Sequence, residues 1–229
     1  MAKLTWDNTG ERFYETGVKN VALYVFDNSP LPDGKKYKEG VAWNGVTAIS
    51  ESPSGAEPTA LYADDKKYLN LLSAEEFAAS IEAYTYPDEF AECDGSASLA
   101  KGVTIGQQTR SKFALAYKTT IGNDEAGNSL GYKLHIIYNC LAAPSEKAYN
   151  TINDSPEAIT FSWEISTTPE TFTVNGEEYS TACITIDSRT ADKTKLEALE
   201  TKLFGGATPD SKPTLALPNE IYDALKETA

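Results

Sequence analysis

The chain is poor in the residues that most often carry chemistry. Its 229 residues include one histidine, one methionine and three cysteines. Cys93, Cys140 and Cys183 are far apart and odd in number, with no Cys-x-x-Cys or Cys/His spacing. That pattern argues against a zinc site or a disulfide framework. The three read instead as small buried apolar residues in a reducing compartment. Positive charge is scarce too: 20 Lys and Arg stand against 34 Asp and Glu, a net charge of −14. A field of that sign repels nucleic acid at long range, which disfavours binding by phosphate neutralisation. The opening MAKLTWDNTGERF has no apolar h-region, so a secretory signal is not expected. The longest uninterrupted apolar run, VALYVF (Val21 to Phe26), falls far short of a membrane span. No internal repeat or low-complexity tract is present.

Candidate chemical sites are correspondingly thin. His135, the only histidine, sits between Leu134 and Ile136 in a strand pattern. No Gly-x-Ser-x-Gly elbow or reactive-cysteine signature supplies it with a nucleophile. Asn123, Asp124, Glu125 and Asn128 cluster in a turn and could offer oxygens to calcium, but the spacing is not that of an EF-hand loop. Asn153-Asp154-Ser155 is formally a glycosylation sequon. Gly205-Gly206 has no phosphate-loop context. The expectation is therefore no catalytic residue, no cofactor, no metal and no enzyme.

What the chain does have is strand patterning. Phe113, Leu115, Tyr117 and Ile121 fall on one face of an extended segment, with Lys112, Lys118 and Thr120 on the other. Tyr132, Leu134, Ile136 and Tyr138 alternate against Lys133, His135 and Asn139. Between the two lies IGNDEAGNSLG, rich in turn formers, which predicts one long antiparallel hairpin over 111–143. Further strands are predicted at 21–27, 46–51, 68–72, 80–86, 159–167 and 182–187. In Ser73–Ala79 a helix-capping SAEE competes with the strand pattern that follows, and the strand is placed from Ser80.

Helical signals are few. Lys195, Leu196, Leu199, Lys202 and Leu203 have helical spacing, with Gly205 as terminator. Short helices are also predicted for SEKAYNTI, from Ser145, and from Asn219 to Lys226. NSPLPDGKKYKEG (Asn28 to Gly40) reads as a mobile loop bearing Lys35, Lys36 and Lys38. TPDSKPT (Thr208 to Thr214) reads as a second loop. The simplest division is a β domain at 1–188 and a helical appendage at 189–229. The fold class expected is mainly β, a sandwich or open barrel with flanking short helices.

Thirteen tyrosines and three tryptophans could stack bases or line a glycan groove. A base-stacking groove is basic, however, and this chain is acidic. Aromatics equally suit strands and interfaces, and Tyr84, Tyr86 and Phe90 are the leading candidates for subunit contacts.

Several blocks carry a family likeness. They are LTWDNTGERFYETGVKNVALYVFD (Leu4 to Asp27), GVAWNGVTAISESPSGAEP (Gly40 to Pro58) and LYADDKKYLNLLSAEEFAASIEAYTYPDEFAECDGS (Leu61 to Ser96). GVTIGQQTR (Gly102 to Arg110) and GYKLHIIYNCLAAPSEKAYNTINDSPEAITFSWEISTTP (Gly131 to Pro169) follow. Together they resemble the major tail protein, or tail tube protein, of long-tailed phages of Gram-positive bacteria. The last quarter of the chain resembles that family only loosely. The resemblance implies a structural virion protein, assembled in the host cytoplasm, that forms hexameric rings stacked into a tail tube. Its implied partners are other copies of itself, a tape-measure protein, a tail terminator and tail-tip proteins. DNA would pass through the lumen without specific binding, along a predominantly negative wall to which the 111–143 hairpin is the expected contributor. Alternatives are a tube subunit of a defective prophage or DNA-free injection particle, and, in another class, a glycan-binding β-sandwich.

Overall fold

The computed structural model describes residues 4–29, 36–152, 154, 157–208 and 211–226. It is mainly β, with a large antiparallel sheet and two short helices. The strands are β1 (Phe13–Val25), β2 (Val41–Ala42), β3 (Val46–Glu51), β4 (Ser54–Gly55), β5 (Pro58–Ala63), β6 (Lys66–Leu72), β7 (Glu75–Glu76) and β8 (Ala78–Ala83). They continue with β9 (Ala97–Ala100), β10 (Val103–Ile105), β11 (Phe113–Asn123), β12 (Gly127–Ala142), β13 (Phe161–Ser166), β14 (Glu170–Val174), β15 (Glu177–Thr181) and β16 (Cys183–Asp187). A 3-10 turn spans Asp88–Glu92, and the helices are α1 (Lys193–Phe204) and α2 (Pro218–Leu225).

The main sheet runs β2-β1-β11-β12-β13-β8-β3, and β16 also pairs with β12. That branching depends on one residue. Lys133–Ile137 of β12 pairs with β16, whereas Leu141–Ala142 pairs with β13. Between them Asn139 has φ +49°. The register against β11 jumps from Leu115↔Ile137 to Phe113↔Cys140. An extra residue of this kind is a β-bulge, and it bends the strand. It also reverses side-chain parity, so Ile137 and Cys140 enter the same core. Asn139 is held there by bonds from its Nδ2 to the Thr168 carbonyl (3.1 Å) and Glu170 (3.0 Å), while its Oδ1 accepts from the Tyr37 hydroxyl (2.9 Å).

Two cores result, one on each face of the β1-β11-β12 layer. On one face Leu23, Leu115 and Ile137 pack with Ile81, Trp163 and Phe90 from the β8–β13 layer and the 3-10 turn. On the other, Leu134, Ile136 and Ile186 meet Leu196, Leu199 and Leu203 of α1 and Ile221 of α2. Small residues at Ala22, Ala114 and Ala116 occupy the helix-facing side. Tyr24 and Tyr138 reach the helical layer with hydroxyls donating to the Leu203 (2.6 Å) and Ala216 (2.9 Å) carbonyls. Strands covered on both faces read as continuous apolar runs rather than alternations. Every residue of Val21–Val25 is buried for that reason. The architecture is a β-sandwich with flanking helices, and the helices share a core with the sheet.

Most predicted elements have counterparts, with differences in extent. The 111–143 hairpin is β11 and β12, and β3 spans Val46–Glu51 as expected. α1 begins at an Asp192 cap whose side chain accepts from the Lys195 amide (2.9 Å), and it ends at Gly205 with φ +83°. β1 starts earlier than predicted, at Phe13, and β8 starts at Ala78. The SAEE cap is overridden because Glu75 and Glu76 pair with Gly55 and Ser54. The helix predicted from Ser145 is absent, and residues 145–152 are irregular. Tyr149 and Ile152 are 75% and 83% exposed, so no apolar face would repay a helix there. The segment is committed instead to Lys147, which bonds Asp94 at 2.6 Å.

Candidate assembly surface

The β3–β8 hairpin continues far beyond the body. Register passes from Glu51↔Ala79 to Ser54↔Glu76 and then from Pro58↔Leu72 to Ala63↔Lys66. Only glycine fits at Gly55, which has φ +85° and where any Cβ would stand 2.3 Å from the Ala74 carbonyl oxygen. From Glu51 to Glu76 no residue is buried. Yet the outer ribbon is apolar: Leu61, Leu69, Leu71 and Leu72 are 38–71% exposed, and Tyr62 and Tyr68 more than 70%. Strand alternation puts Leu61, Leu69 and Leu71 on one face, since Leu61 is opposite Leu69 and Leu71 lies two residues on. Among the described residues β5 and β6 pair only with each other.

Other exposed apolar side chains are spread over several elements. Leu4 and Trp6 precede β1, and Phe13 and Tyr14 open it. Leu99, Val103 and Ile105 lie on the separate β9–β10 pair. The first half of β1 pairs with β11 alone, because β2 reaches only Ala22 and Leu23. Among the described residues no strand pairs with its outer edge.

The residues singled out in the sequence fall elsewhere. His135 is buried and stacked on Tyr117, ring centroids 4.8 Å apart. Its ring nitrogens face Thr119 (2.9 Å), Thr185 (3.3 Å) and the Glu51 carboxylate (3.6 Å). Burial lowers its pKa, with Glu51 opposing. Tyr117 donates to Glu51 at 2.7 Å, and burial raises its pKa well above the ordinary phenol value. This is a hydrogen-bonded packing cluster shared by β3, β11, β12 and β16.

The 123–128 turn spends its oxygens on the chain itself. Asn123 Oδ1 accepts from the Glu125 (3.2 Å) and Ala126 (2.6 Å) amides, and its Nδ2 donates to the Gly10 carbonyl. Asp124 accepts from the Gly10 amide (3.1 Å), and Asn128 from the Tyr14 hydroxyl (2.8 Å). The turn clamps the segment leading into β1. Among the described residues no group of His, Cys, Asp and Glu could hold a metal ion.

All three cysteines are free, and burial pushes Cys93 up to about 12 and Cys183 to about 11. Such thiols are poor nucleophiles. The sequon at 153–155 lies largely outside the described residues. Gly206 packs against Ser211 and Thr201.

Of the three aromatic interface candidates, only Tyr84 is exposed, at 54%. Phe90 is fully buried, 5.1 Å from Trp163 and 4.5 Å from Trp43 between ring centroids. Tyr86 packs edge-on against Phe161 and Trp163. Beneath this cluster lies buried Asp94, which accepts from Trp163 Nε1 (3.0 Å) and pairs with Lys147 and Arg110 (3.8 Å).

The expected mobile loop is partly body. Tyr37 is buried, Lys36 pairs with Glu170, and Lys38 pairs with Glu92 at 2.7 Å. Lys35 lies with residues 30–35 outside the described ones. Nor can the central part of the β11–β12 hairpin offer a polar face to a lumen, because both its faces are covered. Lys118 is paired with Glu200 of α1 at 2.8 Å, and Lys133 with Glu15. Sequence reasoning saw Tyr68–Leu72 as a strand but missed its partner. The signal was the DDKK turn at 64–67 between two apolar runs.

Among the described residues no helix is long and apolar enough to cross a membrane. A scan against protein-family models finds no match, and a search of curated proteins finds no relative.

Proposed function

We propose that this chain is a tail tube subunit, assembling into hexameric rings that stack as the conduit for DNA ejection from a phage particle. The reading begins from the sequence resemblance over residues 4–169. The observation that supports it most directly is the placing of exposed apolar side chains. Six of them lie on one two-stranded ribbon and four more at the segment leading into β1 and its first residues, beside a body with a well-packed core. An exposed apolar strand with free edges is an aggregation hazard unless it meets a defined partner. Repeated identical subunits supply that partner, since a patch on one copy meets a different patch on the next and a rotation closes the ring. The net charge of −14, multiplied around a ring, suits passage of a duplex without adhesion. The tape-measure, terminator and tip proteins belong to the same reading as axial and terminal partners, and the virion tail as its location.

Negative-stain microscopy of the purified chain, over a concentration series, tests this. Rings or hollow tubes of uniform diameter are expected. Dispersed monomers at every concentration would overturn the reading.

A further inference from the structure

We propose that Tyr86, Phe161 and Asp94 form an ammonium-binding cage that accepts the lysine side chain of another protein. In this chain alone the cage is filled by Lys147, carried on the irregular strap 144–152. The site lies in the body, apart from the exposed ribbon, and does not depend on the chain's being a tube subunit.

The cage is rigid and already aimed at a cation. Tyr86 and Phe161 meet edge to face, ring centroids 5.4 Å apart, and both pack on the buried Trp163. The Lys147 ammonium lies 5.4 Å from the Tyr86 centroid and 5.9 Å from that of Phe161, within the range at which ring faces attract a cation. Asp94, with a side chain only 7% exposed, accepts from Lys147 Nζ at 2.6 Å. Trp163 Nε1 donates to the other Asp94 oxygen at 3.0 Å and so orients the carboxylate whatever fills the cage. Burial opposes the Lys147 charge, but the bond to Asp94 outweighs it, and the Lys147 pKa lies above its ordinary value. Two rings and one oriented carboxylate in a partly buried site select a primary ammonium ion.

Three observations make Lys147 an exchangeable occupant. The Ala143 amide donates to the Glu164 carbonyl at 2.7 Å, but among the described residues no backbone hydrogen bond ties 144–152 to the body. The strap also gains little from its seat. Tyr149 and Ile152 stay exposed, and among the described residues the buried Ser145 hydroxyl has no hydrogen-bond partner, which is a cost. Finally, exchange would not orphan Asp94. Arg110 Nη1 stands 3.8 Å from it and is held independently by the Ala142 carbonyl at 3.1 Å. The strap, an irregular segment with one lysine, shows the form of chain that the site admits.

The test uses Lys147→Ala and Lys147→Ser, with n-butylammonium chloride as the probe, since it reproduces a lysine side chain without its backbone. Occupancy is read from the assigned Trp163 indole N–H resonance, because that group bonds the same carboxylate. Sodium chloride and n-butanol at equal concentrations control for ionic strength and for apolar binding. Both variants should stay folded, and butylammonium alone should move the indole resonance saturably in each. In the unaltered chain the same response should need at least tenfold more butylammonium, because the tethered Lys147 competes at an effective concentration on the order of a millimolar or above. A response that is absent, or that either control reproduces, would overturn the inference. So would an equal response in the unaltered chain, which would mean that Lys147 does not occupy the site. Unfolding of both variants would overturn it as well, by making Lys147 a fixed part of the fold.

Discussion

Two apolar β segments of this chain have opposite fates. Val21–Val25 is buried at every residue, while Pro58–Leu72 is exposed at all but Ala60, which is only half-covered. Both are antiparallel, and both carry leucine and tyrosine. The difference is layers. β1 lies between β11 and β2 with one core above and another below. The ribbon has neither a covering sheet nor a covering helix. Apolar patterning therefore specifies that a segment is a strand, and the neighbours decide whether it serves folding or association.

The largest expected effect lies at the centre of the body. Trp163 is fully buried, paired by its indole to Asp94 and packed on Phe90, Trp43 and Phe161. Truncation to alanine removes an aromatic side chain from a site walled by rigid rings and leaves a buried carboxylate short of one donor. Trp163→Ala should cost about 3–5 kcal/mol of subunit stability, read as a shift in the denaturant midpoint. A loss below about 1 kcal/mol would mean that the cluster is loosely packed and the contrast with the ribbon is weaker than drawn.

A smaller effect should appear as pH dependence. Burial lowers the His135 pKa in the fold, so the unfolded chain takes up a proton more readily than the folded one. Stability is then level above the unfolded value of about 6.5 and falls as pH drops below it, until the folded group also protonates. Lowered carboxylate pKa values at Glu170 and Asp187 add a separate loss, but only at or below the ordinary carboxylate range. The window just below pH 6.5 therefore belongs to His135. His135→Gln should flatten the stability profile there while leaving the acid limb in place. An unchanged slope would show that the imidazole stays hydrated and that this edge of the core is open.

Much of the body was legible because its strands obey simple alternation or continuous runs. The β11–β12 hairpin has turn-forming Asn, Asp and Gly between two patterned strands, and α1 has a capping Asp192 and a terminating Gly205. What could not be read was set by contacts distant in sequence. Asn139 looked like one more outward polar residue, yet it is the bulge between the stretch of β12 that pairs with β16 and the stretch that pairs with β13. Phe90 looked like an interface aromatic because its partners Trp43 and Trp163 lie far away along the chain. Ser145–Ile152 has helix-forming residues but is held by Lys147 to Asp94. While β6 was read as a strand, the other half of the ribbon, β5, was missed for a different reason. Its alternation shifts at the irregularity between Leu61 and Tyr62, which breaks the period of two over a short window. Nothing in a lone sequence says whether an apolar strand will find a cover.

The smallest expected effect is the one that makes the comparison sharpest. Leu71 is 55% exposed and faces Thr59 across the ribbon, with no core side chain involved. Its truncation removes one cross-strand contact, a term of a few tenths of a kcal/mol. Leu71→Ala should therefore change the unfolding free energy of the dissociated subunit by less than about 0.5 kcal/mol. Amide exchange should follow the same division. The ribbon amides at 58–72 should exchange through local opening, while those of 113–121 should be limited by global unfolding. A core-like penalty for Leu71→Ala, or core-like protection of the ribbon, would mean that the ribbon folds back on its own body in solution. Its leucines would then be part of that subunit's stability, and the division between folding strand and association strand would not hold.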